Sequence, residues 1–468
     1  LRLKYSCEVL LFSILLYLLL TLLVGFWAAR RVKNSGDFML AGRSLPMVLS
    51  TAALFATWFG SETIFGASSE FLKGGLFAVI EDPFGAALCL LLFGMFFARR
   101  LYSMNLLTLG DFFRNRFGPK AELLASLLMV PSYFGYTAGQ LVALGLILNV
   151  ITGLPVWQGI IVSSLVVTLY TAVGGMWAIS VTDFVQSIVI VVGLLILAGV
   201  LATKAGGVMA VMRQVPQDTF RFLPAWNVSE VLTYLAAWSV LGLGSIPSQD
   251  VFQRAMSSGS PRIAVQSCYY GAALYLTIAM LPLFISLCIQ QLYPEHINGD
   301  TQLVLPSMVM MHTSLPVQVL FFGALMSAIL STTSSSILAP AAVFSENIVK
   351  PLSATPIPDR RFLFITRMSV LVFAACATVL ACIKTNIYEL VGNSSVFSLV
   401  SLFVPLVLGL YWRRCSKAGA MASMIAGLTT WIWFSWRPIS VPALVPSLGA
   451  GALAAVVVSL FFPDEKST

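Results

Sequence analysis

The sequence predicts an all-α integral membrane protein with about thirteen crossing helices. Three observations carry that fold class. Apolar residues make up 58% of the chain and charged residues only 10%, whereas a soluble domain carries about 25% charged residues. So few charges cannot clothe a water-facing surface, and lipid is the solvent that fits. Mean hydropathy is +0.91. Second, a spanning helix needs about 20 largely apolar residues, and runs of that kind centre near Leu18, Phe59, Leu88, Gly135, Leu165, Ile190, Ala237, Tyr275, Ala328, Val372, Leu402, Ile425 and Ala454. Third, no segment is long and polar enough to form a soluble domain. The longer connections fall at 204–228, 291–303 and 346–361.

The first run ends in Ala28-Ala29-Arg30-Arg31 without a small-residue cleavage site, so it is expected to be a retained span rather than a signal peptide. The seven cysteines lack metal spacing. Cys89, Cys376 and Cys382 lie in apolar runs and are expected to be small buried hydrophobes rather than a disulfide framework. The net charge of +8 comes from short Lys/Arg clusters between spans. That is a topology signal and excludes nucleic acid as a partner. With an odd span count the two ends lie on opposite sides. An outside N-terminus gathers Arg30, Arg31, Lys33, Arg99, Arg100, Arg114, Arg116, Lys120, Arg254, Arg360, Arg361, Arg413, Arg414 and Lys466 with their neighbours inside. The expected count is about 18 basic residues inside against about 8 outside, and a cytoplasmic C-terminus.

Two spans contain backbone breakers. The second reads Ala56-Thr-Trp-Phe-Gly60-Ser-Glu62-Thr63-Ile-Phe-Gly66, and the seventh Gly242-Leu-Gly244-Ser245-Ile-Pro247-Ser248-Gln249. They lie five spans apart. That odd offset inverts one relative to the other, as in an inverted repeat whose broken helices meet at a central site. Glu62, Glu81, Asp82 and Asp183 fall within apolar runs. Intramembrane carboxylates are expensive and usually line a pathway or hold a cation. The ninth span carries Ala328-Ile-Leu-Ser331-Thr332-Thr333-Ser334-Ser335-Ser336. Helical spacing groups Ala328 with Ser331 and Thr332, and Ser331 with Ser334 and Ser335, while Ser336 turns off both clusters. Neutral and anionic oxygens suit a hard monovalent cation. No Lys or Arg is expected near the depth of Asp183, which leaves a bound ion as its counter-charge.

These segments resemble the sodium/solute symporter family, which includes glucose, proline, sialic acid and high-affinity choline transporters. The resemblance spans nearly the whole chain. It rests on the broken second span, on Gly174-Gly-Met-Trp-Ala-Ile-Ser-Val-Thr-Asp183-Phe-Val-Gln186, on Gly244-Ser-Ile-Pro247-Ser-Gln249-Asp-Val-Phe-Gln253-Arg254, and on the Ser-rich ninth span. The third stretch is most similar to the choline branch. Ser248 departs from that branch, where a Trp is expected, and Asp82 stands where the branch has an apolar residue.

The resemblance implies a LeuT-type core of ten helices in a 5+5 inverted repeat, with one helix before and two after. The division is then 1–44 for the first helix and its loop, 45–204 for the first repeat, 205–228 for an extracellular connection, 229–412 for the second repeat and 413–468 for the last two helices and tail. It implies sodium as the coupling ion, held by Ala56, Phe59, Ala328, Ser331 and Thr332, and a further sodium site at Asp183, Ser331, Ser334 and Ser335. The implied solute pocket draws on Glu62, Thr63, Glu81, Asp82, Tyr133, Tyr136, Gln140, Trp238, Ser245, Gln249, Asn393 and Ser394. Acids beside aromatics favour an amine such as choline, or a zwitterion. The expected partners are a small solute, sodium and the lipid bilayer of a plasma (inner) membrane.

An enzyme is disfavoured. The two histidines, His296 and His312, form no metal motif, and neither a nucleophile elbow nor a phosphate-binding loop is present. A channel would need a selectivity filter, which no stretch resembles. The alternatives that stay open are a proton-coupled transporter of the same fold, with Asp183 and Glu62 as proton carriers, and a sodium symporter for an amino acid, sugar or carboxylate.

Overall fold

Backbone groups in hydrocarbon have no water to bond, so an apolar run satisfies them internally as helix. The computed structural model describes residues 2–294, 301–353, 355–437 and 441–464; His296 and Lys466 lie outside them. Among the described residues there are helices and no strand.

The principal helices in chain order are α1 (Arg2–Ala29), α2 (Met47–Trp58), α3 (Glu62–Gly74), α4 (Leu76–Ser103), the short α5 (Leu109–Phe117), α6 (Pro119–Thr152), α7 (156–174), α8 (Gly175–Lys204), α9 (Val228–Gly244), α10 (Gln249–Met256), α11 (Pro261–Leu292), α12 (Leu315–Leu352), α13 (Asp359–Ile383), α14 (Ile387–Tyr411), α15 (Lys417–Ser435) and α16 (Leu444–Phe461), with shorter helices at Ser35–Leu40, Val208–Gln214 and Thr301–His312 in the connections. Eight of these are long and apolar enough to cross a membrane, and ten spans result when α2–α3 and α9–α10 each count as one bent span. The other three expected spans, α1, α7 and α15, are helical at their expected positions.

Local chemistry sets the boundaries. Ser260 accepts from the Ile263 amide ahead of Pro261, Asn386 from Glu389 and Ser416 from Gly419, so three spans begin on side-chain caps. Thr108 and Asp111 form a capping box at α5. Between α7 and α8 the turn is made at Gly175, with φ 58° and ψ −174°. The close packing of Phe38 beside it leaves no room for a Cβ. The α2–α3 bend is 52° and the α9–α10 bend 49°. A third irregularity interrupts α4, where Asp82 is extended (φ −140°, ψ 122°) ahead of Pro83. The proline ring disfavours the helical region for the residue before it.

α12 is the axial helix. Every residue from Phe321 to Val343 is buried, and it packs on α6, the α7–α8 pair and α2. α15 and α16 pair with each other at the edge and touch the core through the middle of α14. The broken helices thus face a fully enclosed, hydroxyl-rich helix.

Gly175→Ala should lower the melting temperature in detergent, because the positive φ and a Cβ 2.7 Å from Phe38 Cδ2 together cost about 1–3 kcal/mol. Gly199→Ala, where a Cβ meets no atom within 4 Å, should be neutral or stabilise by up to ~1 kcal/mol. Equal melting temperatures for the two variants would contradict a strained turn at Gly175.

Candidate functional site

The break between α2 and α3 frees backbone groups that side chains from three other helices take up. The Thr332 hydroxyl (α12) donates to the Ala56 carbonyl at 2.9 Å and lies 3.1 Å from the Ala328 carbonyl. The Tyr136 hydroxyl (α6) lies 2.8 Å from the Thr57 carbonyl and 3.3 Å from Glu62 Oε1. Gln140, one turn on, accepts from the Ser61 amide at 2.9 Å and donates to Glu62 Oε2 at 2.6 Å. The Tyr275 hydroxyl (α11) reaches the Trp58 carbonyl at 3.3 Å.

Three of the five residues expected at the first ion site are therefore brought together. Ala56, Ala328 and Thr332 share a hydrogen-bonded cluster, with Phe59 at the break (φ −83°, ψ 75°) and Ser331 beside it. Ser331 donates to Asp183 Oδ1 (α8). Ser334 and Ser335 each donate to the Ser331 carbonyl at 2.8 Å, the ordinary back-bond of a helical serine. Ser336 turns to Thr137, whose hydroxyl lies 3.0 Å away.

One expectation is corrected here. Asp183 is not remote from protein cations, because Arg254 Nη2 lies 3.8 Å from its Oδ2 and the two side chains are 1% and 0% exposed. The guanidinium also donates to Ser335 Oγ, to the Ala53 carbonyl at 3.1 Å and toward the Asp250 carbonyl at 3.4 Å. Arg254 belongs to no basic loop. It sits on α10, whose residues are all buried, because the bend after Gly244 folds that half-helix into the core.

A cavity opens between the two breaks. Trp58 and Glu62 wall it from the first, Ser132, Tyr133 and Tyr136 from α6, Gly244, Ser245, Ser248 and Asp250 from the second, and Val391, Ser394, Ser395 and Ser398 from α14. Of the expected pocket residues, Glu62, Tyr133, Tyr136, Ser245 and Ser394 face it, while Gln140 stands behind Glu62.

The others lie elsewhere. Gln249 turns away to accept from the Leu109 amide at 2.7 Å, anchoring α5. Trp238 packs in an aromatic cluster with Phe84, Phe222 and Tyr234. Glu81 and Asn393 line a separate recess with Glu70, Tyr388 and Glu389. Asp82 and Thr63 meet Tyr275 beneath the break.

Asp250 was missed, although it follows Gln249 in a broken span and is a buried intramembrane acid like the four that were read. Tyr133 donates to its Oδ1 at 2.8 Å. Tyr275, at the centre of its span, gave no signal beyond being a polar aromatic.

The model of the sodium:solute symporter family matches residues 38–427. The human high affinity choline transporter 1 is 30% identical over 444 residues, which cover 89% of this chain and 75% of that protein. The high-affinity proline transporter PutP of Bacillus subtilis (strain 168) is 27% identical over 461 residues, 94% of this chain and 95% of that one. A Na+-coupled sialic acid symporter, solved in a substrate-bound outward-open state, superposes with a TM-score of 0.87 at 18% identity, covering 98% of this chain and 99% of the other. That likeness establishes the LeuT-type fold. The protein is thus a multi-pass membrane transporter rather than an enzyme, and it belongs to the sodium:solute symporter family.

Proposed function

We propose that the protein imports a small amine or zwitterion by alternating access, driven by sodium, with its N-terminus outside and C-terminus in the cytoplasm. The observation that carries the solute class is the lining of the central cavity. It holds two carboxylates, Glu62 and Asp250, and three aromatic residues, Trp58, Tyr133 and Tyr136, with no Lys or Arg among the described residues. A positively charged nitrogen is attracted both by the carboxylates and by ring faces, each desolvated ring contributing about 1–2 kcal/mol. A simple anion would find no guanidinium or ammonium there. The relatives support the same class, because choline and proline share a cationic nitrogen.

Sodium coupling draws support from the family and from the oxygens gathered by Ala56, Phe59, Ala328, Ser331 and Thr332. A second sodium at Asp183, Ser331, Ser334 and Ser335 has to contend with Arg254. In the conformation described, its guanidinium supplies the positive charge beside the carboxylate and bonds Ser335. The second ion therefore enters only where the guanidinium withdraws, and the site alternates between a tethered and a diffusible cation.

Uptake into proteoliposomes of labelled amines, amino acids, sugars and carboxylates, with and without a sodium gradient, tests the function. Sodium-driven accumulation of an amine or zwitterion is expected. Accumulation on a proton gradient alone, or of a sugar or monocarboxylate in place of amines, overturns it. Glu62→Gln should raise the half-saturating amine concentration about 10- to 100-fold, as expected for losing a charged partner in a desolvated site.

Ser331→Ala should raise the half-saturating sodium concentration more than Ser336→Ala, because Ser331 bonds Asp183 while Ser336 bonds only Thr137 and its own helix. Equal effects of the two changes in sodium titrations of uptake would assign both serines to packing.

Removing the guanidinium tests the alternation of cations. Arg254→Gln leaves a buried carboxylate without its cation, which is destabilising by about 3–5 kcal/mol when nothing replaces it. Added sodium should recover more melting temperature in this variant than in the unaltered protein. An identical sodium response in both would show that no diffusible ion reaches Asp183.

A further inference from the structure

Beneath the α2–α3 break, away from α12, lies a cluster of oxygens that neither the solute cavity nor the two expected ion sites use. Tyr275 OH is at its centre. It lies 2.6 Å from Thr63 Oγ1 and 3.3 Å from the Trp58 carbonyl, and it donates to Asp82 Oδ1. Thr63 Oγ1 lies 3.2 Å from the same carbonyl. All four residues are buried, Asp82 and Thr63 at 0% exposure. Three devices of the fold assemble the cluster: the break that frees the Trp58 carbonyl, the extended backbone at Asp82 ahead of Pro83, and the face α11 turns to α2.

The protons do not suffice for the oxygens. With Asp82 ionised, two hydroxyl protons and the Gly60 N–H, which donates to the Trp58 carbonyl at 3.0 Å, serve five oxygens, and Asp82 Oδ2 has no hydrogen-bond partner among the described residues. Glu62 and Glu81 lie near enough to interact with the Asp82 charge, and Asp82 has no ion pair with a Lys or Arg among the described residues. A buried polar atom left in this way is costly, and an unpaired carboxylate at membrane depth more so. A hard monovalent cation supplies what is missing: one positive charge, no hydrogen, and a preference for carboxylate, carbonyl and hydroxyl oxygens.

We propose that Asp82, Thr63, Tyr275 and the Trp58 carbonyl form a sodium site separate from both sites on α12. Its ligands come from α2, α3, α4 and α11, so a bound ion ties the first broken helix to two helices that the α12 sites do not touch. Trp58 joins this site to transport. Its carbonyl faces the ion, while the residue also walls the solute cavity. An ion here therefore fixes the position of an aromatic wall before the solute arrives. The assignment does not depend on which solute is carried, and it reads Asp82 as an ion ligand rather than a contact to the amine.

Radiolabelled sodium binding to the purified full chain in nanodiscs, without solute and with N-methylglucamine chloride holding ionic strength, tests the site. Asp82→Asn, which keeps shape and hydrogen bonding, should bind one sodium fewer per protein. Tyr275→Phe should keep the stoichiometry but weaken one site about tenfold. Thr332→Ala, in the α12 cluster, serves as the independent control and should lose a different ion, so the double variant Asp82→Asn/Thr332→Ala loses both. If Thr332→Ala loses sodium while Asp82→Asn and Tyr275→Phe bind as the unaltered protein does, the third site is overturned and sodium coupling stands. If the unaltered protein binds no sodium, this site and sodium coupling fall together.

Discussion

A helix that breaks inside a bilayer exposes amide and carbonyl groups that lipid cannot satisfy. The α2–α3 break does this between residues 56 and 61, and the rest of the molecule is arranged around answering it. Thr332 takes the Ala56 carbonyl, Tyr136 the Thr57 carbonyl, Tyr275 the Trp58 carbonyl and Gln140 the Ser61 amide. These four side chains come from three helices that could otherwise pack as plain apolar rods. Their polar positions explain why α6, α11 and α12 carry hydroxyls and amides at depth. The hydrogen-bonding demand of one break thereby selects the oxygen-rich lining in which ions and a solute can replace water.

The charges at this centre are unbalanced in one direction. Glu62, Asp82, Asp183 and Asp250 are all buried, and Arg254 is the guanidinium set among them. Four carboxylates with one fixed cation are tolerable in a low-dielectric interior only when mobile cations or protons complete them. In a transporter that imbalance has a use. On the proposed function, a centre made expensive by its own charge would bind cations strongly enough to couple their entry to a change of shape, and a solute bearing a positive nitrogen would join the same electrostatic deficit. Arg254 differs from the diffusible ions in being tethered. It can neutralise Asp183 while no ion is bound, so the centre never faces the full cost of four bare carboxylates.

Much of the architecture was legible because it rests on period and length. Apolar runs gave the helices, Gly60 and Pro247 marked the bends, and the three- and four-residue spacing placed Thr332 and Ser331 on the face that meets Ala56 and Asp183. What escaped was the axial rotation of segments beyond a break. Spacing relates a residue to its own helix, and a 49° bend resets that relation. Gln249, just past that bend, was therefore read as facing the cavity, yet it caps α5, and Trp238, before the bend on α9, packs among aromatics. Arg254, read as a loop residue, is carried into the core by the same bend. Asp82 was placed at the right depth but given the wrong neighbours. Its surroundings depend on the irregular turn before Pro83, which no helical period describes.

These misreadings share a cause that bears on how the protein works. The residues whose positions a regular helix cannot predict are those at the discontinuities, and discontinuities are where a transporter must bend. Trp58, Glu62, Ser245 and Asp250 sit at or beside a break and wall the cavity. The hydroxyls of α12, by contrast, sit on an unbroken helix with every side buried. An ion bridging the two sets, from Thr332 to the Ala56 carbonyl, joins a segment able to rotate about its break to one that cannot move without disturbing the whole core. On the proposed function, occupancy by ions would decide whether the broken helix is held against α12 or released from it, and the cavity wall carried on that helix would move with the same decision.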